Sequence, residues 1–187
     1  MAFKESNMLP LGTIAPEFYL PNTVDDKFYT FADLRGEKAT VVMFLCNHCP
    51  YVLHVNEQLV KLANDYMPKG VKFIAISSND IVKYPQDAPD KMKELAATVG
   101  YPFPYLFDET QDVAKAYDAA CTPDFYAFDS ENKLAYAGQL DDSRPKSDKP
   151  VDGKDLRAAL DAILANEPIT FRQWPSGGCG IKWKPEI

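Results

Sequence analysis

Two apolar runs, Val41-Val42-Met43-Phe44-Leu45 and Val71 to Ile76, flank a stretch in which Val52, Val55, Leu59, Leu62, Ala63 and Tyr66 recur at helical spacing. Apolar runs of this length fit strands buried on both faces, and the recurrence fits an amphipathic helix. Pro68-Lys69-Gly70 stops that helix. Thr40 to Ile76 is therefore predicted as strand, helix, strand, a right-handed crossover between parallel strands. Ser77-Ser78-Asn79-Asp80 follows at the C-terminal end of a parallel strand, where ligand sites cluster. A plain polar turn reads those residues equally well.

The flanking pattern is less regular. Upstream, Phe18-Tyr19-Leu20 and Phe28-Tyr29 form a short hairpin around Asn22 to Asp26, and Ala32-Asp33-Leu34-Arg35-Gly36 is one helical turn ended by glycine. Downstream, Tyr84 to Pro89 reads as extended loop and Asp90 to Val99 as a helix ended by Gly100. Pro102 to Asp108 is a short strand restricted by its prolines, and Gln111 to Tyr117 another helix. Phe125 to Phe128 and Leu134 to Gly138 make a hairpin across Ser130-Glu131-Asn132-Lys133. Residues 141–152 are a charged surface loop. Asp152 caps a helix over Lys154 to Asn166, with Leu156, Ala159, Leu160 and Ile163 inward. Residues 167–187 show no clear period.

At 187 residues the chain is expected to form a single domain over 1–187, with an extension at 8–38 and a tail at 167–187. Hydrophobic residues at 46% and charged residues at 25% are ordinary for a globular protein. A net charge of −7 argues against nucleic acid or an anionic membrane as main partner. No stretch is apolar enough to span a bilayer, and Met1 to Asn7 lacks the basic and apolar regions of a secretory signal, so a cytoplasmic location is expected. Four cysteines in such a chain point to redox or metal chemistry before a disulfide scaffold.

The chemistry sits in Cys46-Asn47-His48-Cys49, where a strand gives way to a helix. A helix N-terminus presents free N–H groups and the positive end of its dipole, which lowers a cysteine's pKa. The first cysteine of such a pair is expected to be the more exposed, which makes Cys46 the nucleophile. Cys49 lies a turn on, within reach to close a disulfide. A protonated His48 would stabilise a neighbouring thiolate, and the identity of Asn47 helps set the redox potential. His54 reads as a helix-surface residue.

This order of elements, with Thr122-Pro123 leading into an antiparallel hairpin and a final helix, resembles the thioredoxin fold. Ala15-Pro16-Glu17-Phe18, Leu34-Arg35-Gly36 and the Thr40 to Cys49 segment resemble its redoxin branch. That branch includes alkyl hydroperoxide reductase and thiol-specific antioxidant relatives and thioredoxin-like thiol–disulfide oxidoreductases. The resemblance covers roughly residues 10–166, and Gly178-Cys179-Gly180-Ile181-Lys182-Trp183 is similar to the tail of redoxin-like proteins with a CNHC motif. It implies an α/β three-layer sandwich, a central mixed sheet with helices on both faces, and an N-terminal hairpin extension. It implies Cys46 as the attacking cysteine, Cys49 as the resolving one, and a cis bond before Pro123. Thr122 would then offer backbone groups to an incoming peptide or thiol. The implied partners are protein or small-molecule disulfides and a thiol reductant system, with no cofactor.

The chain departs from its relatives in three ways. The peroxiredoxin pattern Pro-x-x-x-Thr/Ser-x-x-Cys fits neither Cys46 nor Cys49. The Trp-Cys-Gly-Pro-Cys of thioredoxin is missing. Thr40 stands where thioredoxin keeps a buried carboxylate as proton acceptor. Hydroperoxide reduction through a sulfenic acid is the alternative activity. Soft-metal binding by Cys46, Cys49 and a histidine is a third reading, and haem attachment fails because Pro50 follows Cys49. Cys121 is expected near the site. For Cys179 two readings stand, a buried thiol, or an accessory redox residue that the tail brings back to Cys121 or to the Cys46–Cys49 pair.

Overall fold

The computed structural model describes residues 2–187; Met1, where the stretch read for a secretory signal begins, lies outside them. The elements, in order, are β1 (Phe3–Glu5), β2 (Tyr19–Pro21), β3 (Phe28–Thr30), α1 (Phe31–Leu34), β4 (Ala39–Phe44), α2 (Pro50–Tyr66) and β5 (Val71–Ser77). Then come α3 (Pro89–Val99), β6 (Tyr105–Phe107), α4 (Asp112–Ala116), β7 (Cys121–Thr122), β8 (Asp124–Phe128), β9 (Leu134–Gly138), α5 (Lys154–Leu164) and β10 (Gly177–Gly180). No described helix is long and apolar enough to cross a membrane.

Five strands form the central sheet in the order β6-β5-β4-β8-β9. β4 runs parallel to β5, with Val41 beside Phe73, and antiparallel to β8, with Met43 beside Phe125. The sheet is mixed, as expected. β4 is buried throughout because both its faces are covered. Val41 and Met43 pack with Val52, Leu59, Met92 and Leu156 of α2, α3 and α5. Val42 and Phe44 pack on the other face with Phe31, Val113 and Tyr117. The result is three layers, with strand alternation dividing one run between two cores.

The extension hairpin forms as predicted, with Leu20 opposite Tyr29. Several local expectations are corrected. Gly153, at φ 69°, takes the N-cap of α5 and offers no side chain, while Asp152 accepts from Lys154 N–H one residue early. Asp141 sets this turn, since its Oδ2 accepts from the N–H groups of both Asp152 and Gly153. Arg35, not Gly36, ends α1, whose start is fixed by reciprocal Thr30 and Asp33 bonds. Tyr84 to Pro89 is not extended throughout: Pro85–Asp87 form a 3-10 turn, and Pro89 opens α3.

The tail holds the largest difference. Gly177–Gly180 form β10, which lies between β1 and β7 in a small antiparallel sheet. Cys179 stands opposite Thr122 on one side and Phe3 on the other. A strand of three glycines and one cysteine has no apolar alternation to read. Its backbone pairing defines it.

Asp124 heads β8 and is buried, with Tyr126 Oη donating to its Oδ2 at 3.0 Å. Burial outweighs that bond and pushes the carboxyl up to about 7, from 3.8. The folded state thus holds this proton more tightly than the unfolded chain does. Stability from this group is full below about pH 4 and declines as pH rises toward 7. Asp124→Asn is expected to raise the melting temperature by several degrees at pH 8, with the gap closing near pH 4; thermal melts across pH check it.

Candidate redox site

The strand ends at Phe44 and the helix begins at Pro50, so the four motif residues and Leu45 span the gap. Cys49 is the N-cap of α2, with Pro50 at the first helical position. The helix dipole therefore acts most directly on Cys49, one motif length later than the sequence reading placed it. The expected difference in exposure is absent too. Cys46 is 1% and Cys49 0% exposed. All four cysteines are free thiols.

Thr122 faces both sulfurs, and its bond to Pro123 is cis. Thr122 Oγ1 lies 3.4 Å from Cys46 Sγ, and Cys49 Sγ donates to the Thr122 carbonyl at 3.4 Å. Cys46, Cys49 and Cys179 pack in one apolar cluster, and the other two thiols help hold charge on Cys49. Cys121 points to the other face of its strand, with its sulfur near the carbonyls of Pro123 and Ser176 at 3.8 and 3.9 Å. Its thiol is pushed well up by burial. Of the two accessory cysteines, the structure brings only Cys179 to the pair.

The two motif thiols titrate together. The hydrogen bond from Cys46 does most to hold Cys49 down to about 5, with further help from Cys179, Thr122 and the Val52 N–H. That same bond, then burial, then the Asp87 charge, push Cys46 well above 9.0. The sequence reading placed the stabilised thiolate on Cys46; these interactions favour it on Cys49. In the reduced pair the charge rests on Cys49 and the proton on Cys46.

Asp87 is the functional residue the sequence reading missed. It is fully buried and comes from the 3-10 turn between β5 and α3. Its Oδ1 accepts from Asn47 N–H at 2.8 Å. Its Oδ2 lies 2.6 Å from His48 Nδ1 and accepts from Asn79 Nδ2 at 2.9 Å. The His48 ring also stacks on Tyr84 at 5.5 Å. Asn47 is fixed further by the Gln86 carbonyl and the Tyr105 hydroxyl, at 2.9 and 3.0 Å. No local pattern marks Asp87; only the flagged Ser77 to Asp80 loop pointed toward this region. That loop scaffolds the site, since Asn79 holds Asp87 and also accepts from Lys182 N–H of the tail. His54 lies away from the motif sulfurs' contacts, 3.0 Å from Ser143 Oγ.

Donor atoms of Cys46, His48 and Asp87 lie within 4.8 Å of one another, and Cys49 is not part of that group. The metal set read from sequence, both motif cysteines plus a histidine, is therefore not the one assembled. The Asp87 oxygens already accept N–H donors and hold His48 at hydrogen-bonding distance. That is the geometry of a carboxylate–imidazole pair.

A family model described as "Redoxin" matches residues 10–156. An "uncharacterized conserved protein" of Geobacillus kaustophilus is 59% identical, with TM-score 0.98 over 100% of this chain and 99% of that one. A hypothetical protein of Sinorhizobium meliloti 1021 is 44% identical, with TM-score 0.94 over 97% and 99%. A putative thiol:disulfide interchange protein DsbE of Chlorobium tepidum is 18% identical, with TM-score 0.67 over 84% and 99%, a likeness of fold. No curated protein matches the chain.

Two outcomes are expected of this geometry. Thiolate absorbance of the reduced protein rises by one equivalent per chain with a midpoint near pH 5, not near 9. Asp87→Asn removes the charge that raises Cys46, so Cys46 alkylates several-fold faster at neutral pH, as peptide mapping after a timed iodoacetamide pulse measures.

Proposed function

We propose that this chain, which belongs to the Redoxin family, is a thiol–disulfide oxidoreductase working through Cys46 and Cys49. The observation that carries this reading is the easily ionised thiol pair at a helix N-terminus, faced by a cis Thr122–Pro123 bond. Cys46 attacks and Cys49 resolves. The Cys49 thiolate is the base. It takes the Cys46 proton as the Cys46 sulfur bonds to one sulfur of a disulfide partner, and the other sulfur departs as thiolate. That leaving thiolate takes the proton back from Cys49. Cys49 then attacks Cys46, closing the Cys46–Cys49 disulfide and releasing the second partner thiolate. The partner gains two electrons and the motif loses two. A thiol reductant reverses the bookkeeping on the motif for the next cycle.

Thr122 supports the partner side. Its carbonyl lies 3.4 Å from Cys49 Sγ, and with Cys49 ionised it is free to receive a partner N–H. In a reducing, cytoplasmic setting the chain runs as a reductant. Hydroperoxide reduction fits less well. Asp87 sets a negative charge beside Cys46, where a peroxidatic thiolate needs positive or neutral donors.

Cys46→Ser is expected to abolish disulfide reduction, and Cys49→Ser to accumulate a mixed disulfide on Cys46, measured by mass spectrometry with a glutathione-capped or peptide disulfide. A Cys46→Ser variant that turns over disulfide catalytically, or a Cys49→Ser variant that traps no mixed disulfide on Cys46, sinks the assignment of roles.

A further inference from the structure

Cys179 takes no part in the cycle just described, yet its surroundings are built to deliver it. β10 carries Gly177, Gly178 and Gly180 around this one side chain. A Cβ at Gly178 would stand 2.0 Å from the Thr122 carbonyl oxygen, so only glycine lets the strand approach that close. Residues directly opposite on paired strands present side chains to one face. Cys179 is opposite Thr122, and the Thr122 side chain touches Cys46. Cys179 is accordingly 3% exposed and packs in the same apolar cluster as Cys46 and Cys49. The tail beyond it is pinned. Ile181 N–H donates to the Ala120 carbonyl, and Lys182 and Lys184 are tied to Asn79 and Gln111.

We propose that Cys179 is a third redox thiol of this site, exchanging with Cys49 so that the oxidised chain exists as two disulfide isomers, Cys46–Cys49 and Cys49–Cys179. The inference rests on the thiol–disulfide reading above. Cys46, Cys49 and Cys179 pack in one apolar cluster around Thr122, whose hydroxyl meets Cys46, whose carbonyl meets Cys49 and whose backbone pairs opposite Cys179. Displacement at sulfur requires Cys179 to approach Cys49 from the side away from Cys46.

In the step, Cys179 loses its proton and its sulfur bonds to Cys49. The Cys46–Cys49 bond breaks, its electron pair leaves on Cys46, and Cys46 takes up the proton. Nothing is oxidised or reduced overall. The disulfide moves inward, onto the glycine strand, and Cys46 returns to the thiol state beside His48 while the chain stays oxidised. In this scheme Cys179 exchanges with Cys49 alone, so a mixed disulfide on Cys46 still waits for Cys49 and the Cys49→Ser trap is unaffected.

The test is disulfide mapping after oxidation with glutathione disulfide, acid quench and alkylation. Cys46→Ser is expected to yield the Cys49–Cys179 peptide in most chains. Cys46→Ser with Cys179→Ala is expected to leave Cys49 as a glutathione mixed disulfide. Wild type is expected to show Cys46–Cys49 with a minor Cys49–Cys179 fraction, a measurement that stands even if Cys46→Ser does not fold. Free, alkylated Cys179 in both wild type and a folded Cys46→Ser overturns the proposal while leaving a wild-type Cys46–Cys49 disulfide, and with it the thiol–disulfide reading, intact. Absence of any Cys46–Cys49 disulfide in wild type overturns that underlying reading, and the exchange with it.

Discussion

The site depends on the position of one residue, Thr122. Its hydroxyl meets the Cys46 sulfur and its carbonyl accepts from the Cys49 thiol, each at 3.4 Å. Its backbone also pairs with β10 opposite Cys179. Three thiols thus take their places from one peptide unit. The cis bond to Pro123 turns that unit toward the sulfurs while β8 continues into the central sheet beside β4. The strand that ends in the motif and the strand that follows the turn are hydrogen-bonded neighbours, so the distance between sulfur and carbonyl is set by the stiffest part of the molecule. Glycine at 178 completes the arrangement, because any side chain there would occupy the space of the Thr122 carbonyl.

Electrostatics divides the labour between the two motif sulfurs. Donors converge on Cys49: the Cys46 and Cys179 thiols, Thr122, and the N-terminus of α2. Cys46 faces the Asp87 carboxylate and is held as a thiol. The carboxylate that thioredoxin keeps in its strand is not at Thr40, whose hydroxyl accepts from Gly36 N–H and so serves the turn before β4. Negative charge reaches the site instead from the Pro85–Asp87 turn and is shared with His48. Placing the acid on a connecting segment ties the acidity of the pair to the conformation of that segment.

What could be read from the residues follows from how each element is held. β4, β5 and α2 bury long apolar surfaces, and burial leaves a periodic trace, so their positions and the strand-to-helix junction were legible. So were the pair, Thr122 and Pro123, because their spacing along the chain is diagnostic of a fold. β10 was not, because it is held by backbone bonds and by the absence of side chains. Asp87 was not, because its role comes from a turn that lies 40 residues from Asn47 in sequence. The preference of the charge for Cys49 over Cys46 was hidden by the position of the helix boundary. Pro50 begins the helix, which puts Cys49 at the cap and Cys46 before it.

Deep burial of both sulfurs has a mechanical consequence. At 1% and 0% exposure neither can meet a partner disulfide in the closed form described here. The partly exposed residues beside Cys46 are Asn47 and His48. They are held by Asp87, the Gln86 carbonyl and the Tyr105 hydroxyl. Each such bond contributes about 1 kcal/mol net, so freeing the pair costs a few kcal/mol, within reach of a binding partner. Asn47 and His48 also contact Asp87, whose charge pushes the Cys46 thiol up. The residues beside Cys46 at the surface and the charge that sets its acidity thus belong to one network of contacts.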